Sequence, residues 1–81
     1  GMCPAEYERV SAELRAALAR KDAVAVNRAA HTIKGALATF AAPAAVAAAR
    51  RLEDMVRGGS LDGAEEAAAA LEAEVGRVMP V

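Results

Sequence analysis

His31, the only histidine in the chain, opens the run His31-Thr32-Ile33-Lys34-Gly35. On a helix turning about 100° per residue, His31, Lys34 and Gly35 fall at i, i+3 and i+4 and share one face. That face joins an imidazole, an ammonium and a stretch of backbone with no side chain over it. Val26, Ala30, Ile33, Leu37 and Phe40 are spaced 4, 3, 4 and 3 apart and form a single apolar stripe that must be buried. His31 lies two positions before Ile33, about 200° around the helix, so its ring is expected to face water.

The chemistry open to such a histidine is narrow. Metal binding needs three or four suitable ligands, and the chain has one histidine, one distant cysteine at Cys3 and no carboxylate near His31 on its own helix. Hydrolysis would need a nucleophile, an orienting carboxylate and an oxyanion hole in a concave pocket, for which a small alanine-packed bundle has little room. Thr32 points about 100° away from His31, and the glycine patterns of phosphate-binding loops are missing. What remains is an exposed imidazole acting as a covalent acceptor. A phosphoryl group suits it best, because its transfer asks for positioning and charge neutralisation. Lys34, one turn on, and Arg28, one turn before, are the candidate phosphate-stabilising residues. Gly35 in mid-helix costs about 1 kcal/mol relative to alanine, and a bare backbone there lets a partner approach the ring. Ala38 continues this low surface.

The elements that position these residues are four helices. Pro4 suits a first helical turn, and Tyr7, Val10, Leu14 and Leu18 keep helical spacing, which predicts a helix over 4–20. Asp22 can cap the next, over 23–41. Pro43 opens a third over 43–57, with Val46, Ala49, Leu52 and Val56 inward, and Gly58-Gly59 marks a turn. Ser60 is the expected cap of a fourth over 61–78, carrying Leu61, Ala64, Ala68, Leu71, Val75 and Val78 before Pro80. Short connections favour antiparallel neighbours, hence an all-α, up-down-up-down four-helix bundle in a single domain over 1–81.

Composition agrees. At 81 residues, 24 of them alanine, with Tyr7 and Phe40 the only aromatics, the chain has material for one core built from close helix contacts. The net charge of −1 lacks the basic field of a general nucleic-acid binder. Every carboxylate lies outside 23–52, where Arg28, Lys34, Arg50 and Arg51 make a cationic zone suited to an acidic partner or a phosphate. No apolar run reaches the roughly 18 residues of a membrane span. Glu6, Glu8 and Arg9 come too early for a secretion signal, so a cytoplasmic location is expected. Gly1 before Met2 reads as a remnant of tag removal, with Met2 the expected natural start.

The run Ala30-His31-Thr32-Ile33-Lys34-Gly35-Ala36-Leu37-Ala38-Thr39-Phe40 resembles the motif of the histidine phosphotransfer (HPt) domain family. That motif is His-x-x-Lys-Gly on an alanine-rich helix, followed by small residues and an aromatic. Leu52-Glu53 is similar to the leucine and acidic residue that members often carry after the next connection. Where the family often has glycine after the aromatic, this chain has Ala41-Ala42, and many relatives carry longer or additional helices. The resemblance implies a phosphorelay intermediate of two-component signalling. His31 would accept a phosphoryl group from the aspartate of a receiver domain and pass it to another receiver, with Lys34 stabilising the phosphate. Gly35, Ala38 and Asn27 would be docking residues. It implies a phosphocarrier without kinase activity, without a cofactor of its own, and with Mg²⁺ on the partner receiver. The partners would be response-regulator receivers and a hybrid histidine kinase, with oligomeric state open. The competing expectation is a helical scaffold or inhibitor that binds a receiver or kinase without taking phosphate. Such a protein has no use for a lysine and a glycine beside an exposed imidazole.

Overall fold

A computed structural model describes residues 3–39 and 43–78. Four helices follow one another: α1 (Pro4–Arg20), α2 (Ala23–Ala38), α3 (Pro43–Val56) and α4 (Ala64–Val78). Among the described residues there is no strand. Each helix packs on its sequence neighbour, most extensively α2 on α3, giving the expected antiparallel four-helix bundle.

Pro4 opens α1, where its missing N–H is no loss. The helix closes on Lys21, whose left-handed backbone (φ 57°) lets the Asp22 amide reach back 2.9 Å to the Ala17 carbonyl. Asp22 then caps α2 as its sequence position predicts, its carboxylate accepting from the Ala25 amide at 3.1 Å. A two-residue turn thus sets α1 antiparallel to α2 and fixes the rotation of α2, which decides where His31 points.

Leu14, Ile33, Leu37, Leu52 and Leu71 are all at most 2% exposed, each worth roughly 2 kcal/mol in buried apolar surface. Alanines 17, 30, 45, 49, 64 and 68 fill the space between them. Four of the five stripe residues on α2, Val26, Ala30, Ile33 and Leu37, are buried; the fifth, Phe40, lies outside the described residues. Val46 and Leu61, expected inward, are only partly covered.

Three boundaries differ from expectation. α2 is helical to Ala38 and capped at Thr39, whose hydroxyl donates to the Ala36 carbonyl at 2.7 Å; Ala41, its expected end, lies outside the described residues. α3 ends at Val56, one residue early. α4 begins at Ala64 instead of Leu61, because Gly63 takes φ 77°, outside the right-handed helical region. Ser60 does not cap that helix: its hydroxyl accepts from the Asp62 amide at 3.2 Å, a local turn two residues on.

Candidate functional site

The register of α2 against α3 builds the site. Asn27 donates its side-chain amide to the Glu53 carbonyl at 2.9 Å, tying the two helices at that level. Glu53 follows Leu52 on α3, beside the buried stripe of Ala49, Leu52 and Val56, and is itself 6% exposed. A carboxylate so placed must find donors, and α2 supplies two. His31 Nδ1 lies 2.7 Å from Oε2, and Lys34 Nζ donates to Oε1. Among the described residues no buried side-chain polar atom lacks a partner.

This arrangement selects the tautomer of the ring. The Lys34 hydrogen bond, which outweighs the opposing effect of burial, and the His31 hydrogen bond hold the Glu53 carboxyl below its ordinary range. An ionised carboxylate only accepts, so Nδ1 must carry the proton. In the neutral imidazole the lone pair then sits on Nε2. The His31 side chain is 66% exposed and Nδ1 is turned inward to Glu53, leaving Nε2 as the ring's free nitrogen.

The expected site residues separate into three settings. His31 and Lys34 are brought together, though through Glu53, and the lysine side chain is 24% exposed instead of freely solvated. Gly35 and Ala38 are exposed on the His31 face, and among the described residues a Cβ on Gly35 would meet no atom within 4 Å. Arg28 is exposed and lies on the α1 side of that face, lining a groove between α1 and α2; its guanidinium has no ion pair with the described residues. Asn27, expected at a docking surface, uses its amide inside the fold. The cationic zone read from 23–52 needs correcting: Glu53, one residue beyond it, folds back between His31 and Lys34 and neutralises the lysine.

Glu53 is also the residue that reading the helix of His31 alone could not supply. Its signal was a carboxylate flanking the apolar stripe of α3, four residues after Ala49 and three before Val56. Such a position is half turned inward and demands a partner from the neighbouring helix.

Fold and site together define a small helical module with one oriented, solvent-facing imidazole. A family model described as Hpt domain matches residues 3–79. The chain therefore belongs to the Hpt domain family, the histidine phosphotransfer modules of two-component phosphorelays, which carry phosphoryl groups and are not kinases. No curated protein and no solved structure is matched by the chain. No helix among the described residues is long and apolar enough to cross a membrane.

Proposed function

We propose that the chain is a phosphorelay intermediate that takes a phosphoryl group on His31 Nε2 from the aspartyl phosphate of a receiver domain and gives it to another receiver. The observation that supports this is the Nδ1–Glu53 contact of 2.7 Å, which turns Nε2 outward and, in the neutral ring, leaves the lone pair there. The Nε2 lone pair attacks phosphorus in line as the bond from phosphorus to the aspartyl oxygen breaks, and the aspartate leaves as carboxylate. Positive charge gathering on the ring is offset by Glu53. Lys34 has three N–H donors; one serves Glu53 and the others are available to the phosphoryl oxygens. Arg28, a turn away, adds a guanidinium on the opposite side of the ring. Return transfer runs the same path backwards, with the phosphoimidazole as donor. Mg²⁺ belongs to the receiver's acidic pocket in this scheme, and the chain needs no cofactor of its own. We place the module with receivers and a hybrid kinase in the cytoplasm.

The decisive experiment presents a panel of phosphorylated receiver domains to the protein and to His31→Gln, read by intact mass and by acid lability of the label. Acid-labile phosphate on the wild type and none on the variant is the expected result. Binding of receivers without label, equal in both proteins, would replace this reading with the scaffold or inhibitor.

A further inference from the structure

On the α3 side of His31, the charges of Glu53 and Lys34 cancel and the Asn27 amide is committed to the Glu53 carbonyl. On the α1 side the surface is different. There α1 and α2 enclose a groove of about 510 Å³ bordered by Arg9, Glu13, Arg20 and Arg28 over a floor that includes Val10 and Ala29. Three arginines and the Glu13 carboxylate border it, and Asp22 lies beside Arg20. The arginines' partners hold them loosely: Arg9 lies 3.8 Å from Glu13 with both side chains more than half exposed. Arg20 lies 3.6 Å from Asp22. Such pairs contribute little and exchange readily for better ones. Arg28 has no ion pair with the described residues and sits one helical turn from His31, so the groove is continuous with the phosphotransfer face.

That face carries one further mark. Val24, 69% exposed, is the large apolar side chain left open among the described residues. It lies seven residues before His31, about 10 Å along α2 and within about 20° of it around the helix. From Val24 to His31 this outward strip holds arginine as its charged residue and no lysine or carboxylate, a composition typical of interfaces.

The geometry points to the α1–α2 groove as the electrostatic half of the receiver-docking surface: an acidic flank of the receiver seats against Arg9, Arg20 and Arg28 while its phospho-aspartate reaches His31. The inference rests on the phosphotransfer reading and adds a direction to it. The partner lies across α2 toward α1, and residues of α1 help select which receivers are served. Complementary charge of this kind acts chiefly on the encounter rate and loses force with salt.

The test uses the full chain and, from the receiver panel, the domain that transfers fastest to the wild type. Transfer rates are measured at low and at moderate salt for the wild type, for Arg9→Glu with Arg20→Glu, and for Arg50→Glu with Arg51→Glu on the outer face of α3. Phosphoramidate, a small chemical phosphodonor that needs no docking, reports whether His31 is still reactive. The α1 reversal is expected to slow receiver transfer by about tenfold or more and to flatten its salt dependence. Its phosphoramidate labelling and helical circular dichroism are expected to match the wild type. The α3 reversal is expected to stay within about twofold, beyond the reach of strong surface coupling. A folded α1 variant that transfers at the wild-type rate, or an α3 reversal that slows transfer as much, overturns the assignment. A wild type that accepts from no receiver sinks the phosphotransfer reading itself, and this inference with it.

Discussion

Glu53 on α3 and Glu72 on α4 each take two side chains from a neighbouring helix, and the way they do so separates a candidate site from a brace. Glu72 gathers the Ser11 hydroxyl at 2.7 Å and Nε and Nη2 of Arg15 at 3.0 and 2.7 Å on a single oxygen. Its donors are a buried hydroxyl and an exposed arginine with no further chemistry to do; the cluster ties α1 to α4. Glu53 divides its oxygens, one to His31 and one to Lys34, and both donors keep a second function. The ring retains a free nitrogen on its outer side, and the ammonium retains unused protons. The same residue type closes a seam in one place and, in the other, fixes a tautomer at the surface.

Three substitutions grade this difference. His31→Gln is expected to have the largest effect, complete loss of acid-labile label. Glu53→Gln comes next. The glutamine amide has one acceptor and a donor pair, so it can no longer accept from both Nδ1–H and Lys34. Turning its NH₂ toward the ring moves the imidazole proton to Nε2, the wrong nitrogen for attack. Receiver-to-His31 transfer is expected to fall by about 10- to 100-fold, the usual range when the group orienting a reactive histidine is lost. Glu72→Gln, by contrast, is expected to leave the transfer rate at the wild-type value and to lower stability by about 1 kcal/mol in thermal or urea unfolding. Equal losses of transfer rate in the two variants would erase the distinction.

Acid titration sharpens the same contrast through Glu53 alone. Its carboxyl is held below the ordinary range in the fold, so the stabilisation it gives is complete above the unfolded value of about 4.3 and is lost as pH falls through the lower folded value. The stability gap between wild type and Glu53→Gln is therefore expected to narrow as pH falls below about 4. A gap that stayed constant throughout would show that Lys34 and His31 do not hold the carboxylate in its ionised form.

Most of the fold was legible because each helix carries its own instructions. Pro4, Asp22 and Pro43 mark three starts, and the 4-3-4-3 spacing on α2 fixes which face is buried and hence that His31 faces out. The start of α4 was not legible. Leu61 continues the apolar spacing backwards, and nothing in that spacing says that Gly63 adopts positive φ while the Ser60 hydroxyl serves Asp62 instead of the helix. In the site, local spacing placed His31, Lys34 and Gly35 on one face but could not show that Lys34 is paired or that Asn27 is turned inward. Both facts depend on the register of α2 against α3, 26 residues apart at the Asn27–Glu53 bond. The partner of a histidine is a tertiary fact even when its helix is plain in the sequence.

The smallest expected effect is the most discriminating about the open face. Gly35 lies in the interior of α2, exposed, with no atom placed to contact an added Cβ within 4 Å. Alanine there should strengthen the helix by about 1 kcal/mol, raising the melting temperature by about 4–8 °C for a chain of this size. Nothing among the described residues opposes the change. If the bare backbone admits the receiver to the imidazole, Gly35→Ala is expected to be more stable and yet severalfold slower in receiver transfer, an opposition that loss of folding cannot mimic. A variant that gains stability and transfers as fast as the wild type removes Gly35 from the docking surface. The exposed side of α2 would then owe its partner contacts to Arg28 and Val24, and the glycine would be a cost to the helix without a return.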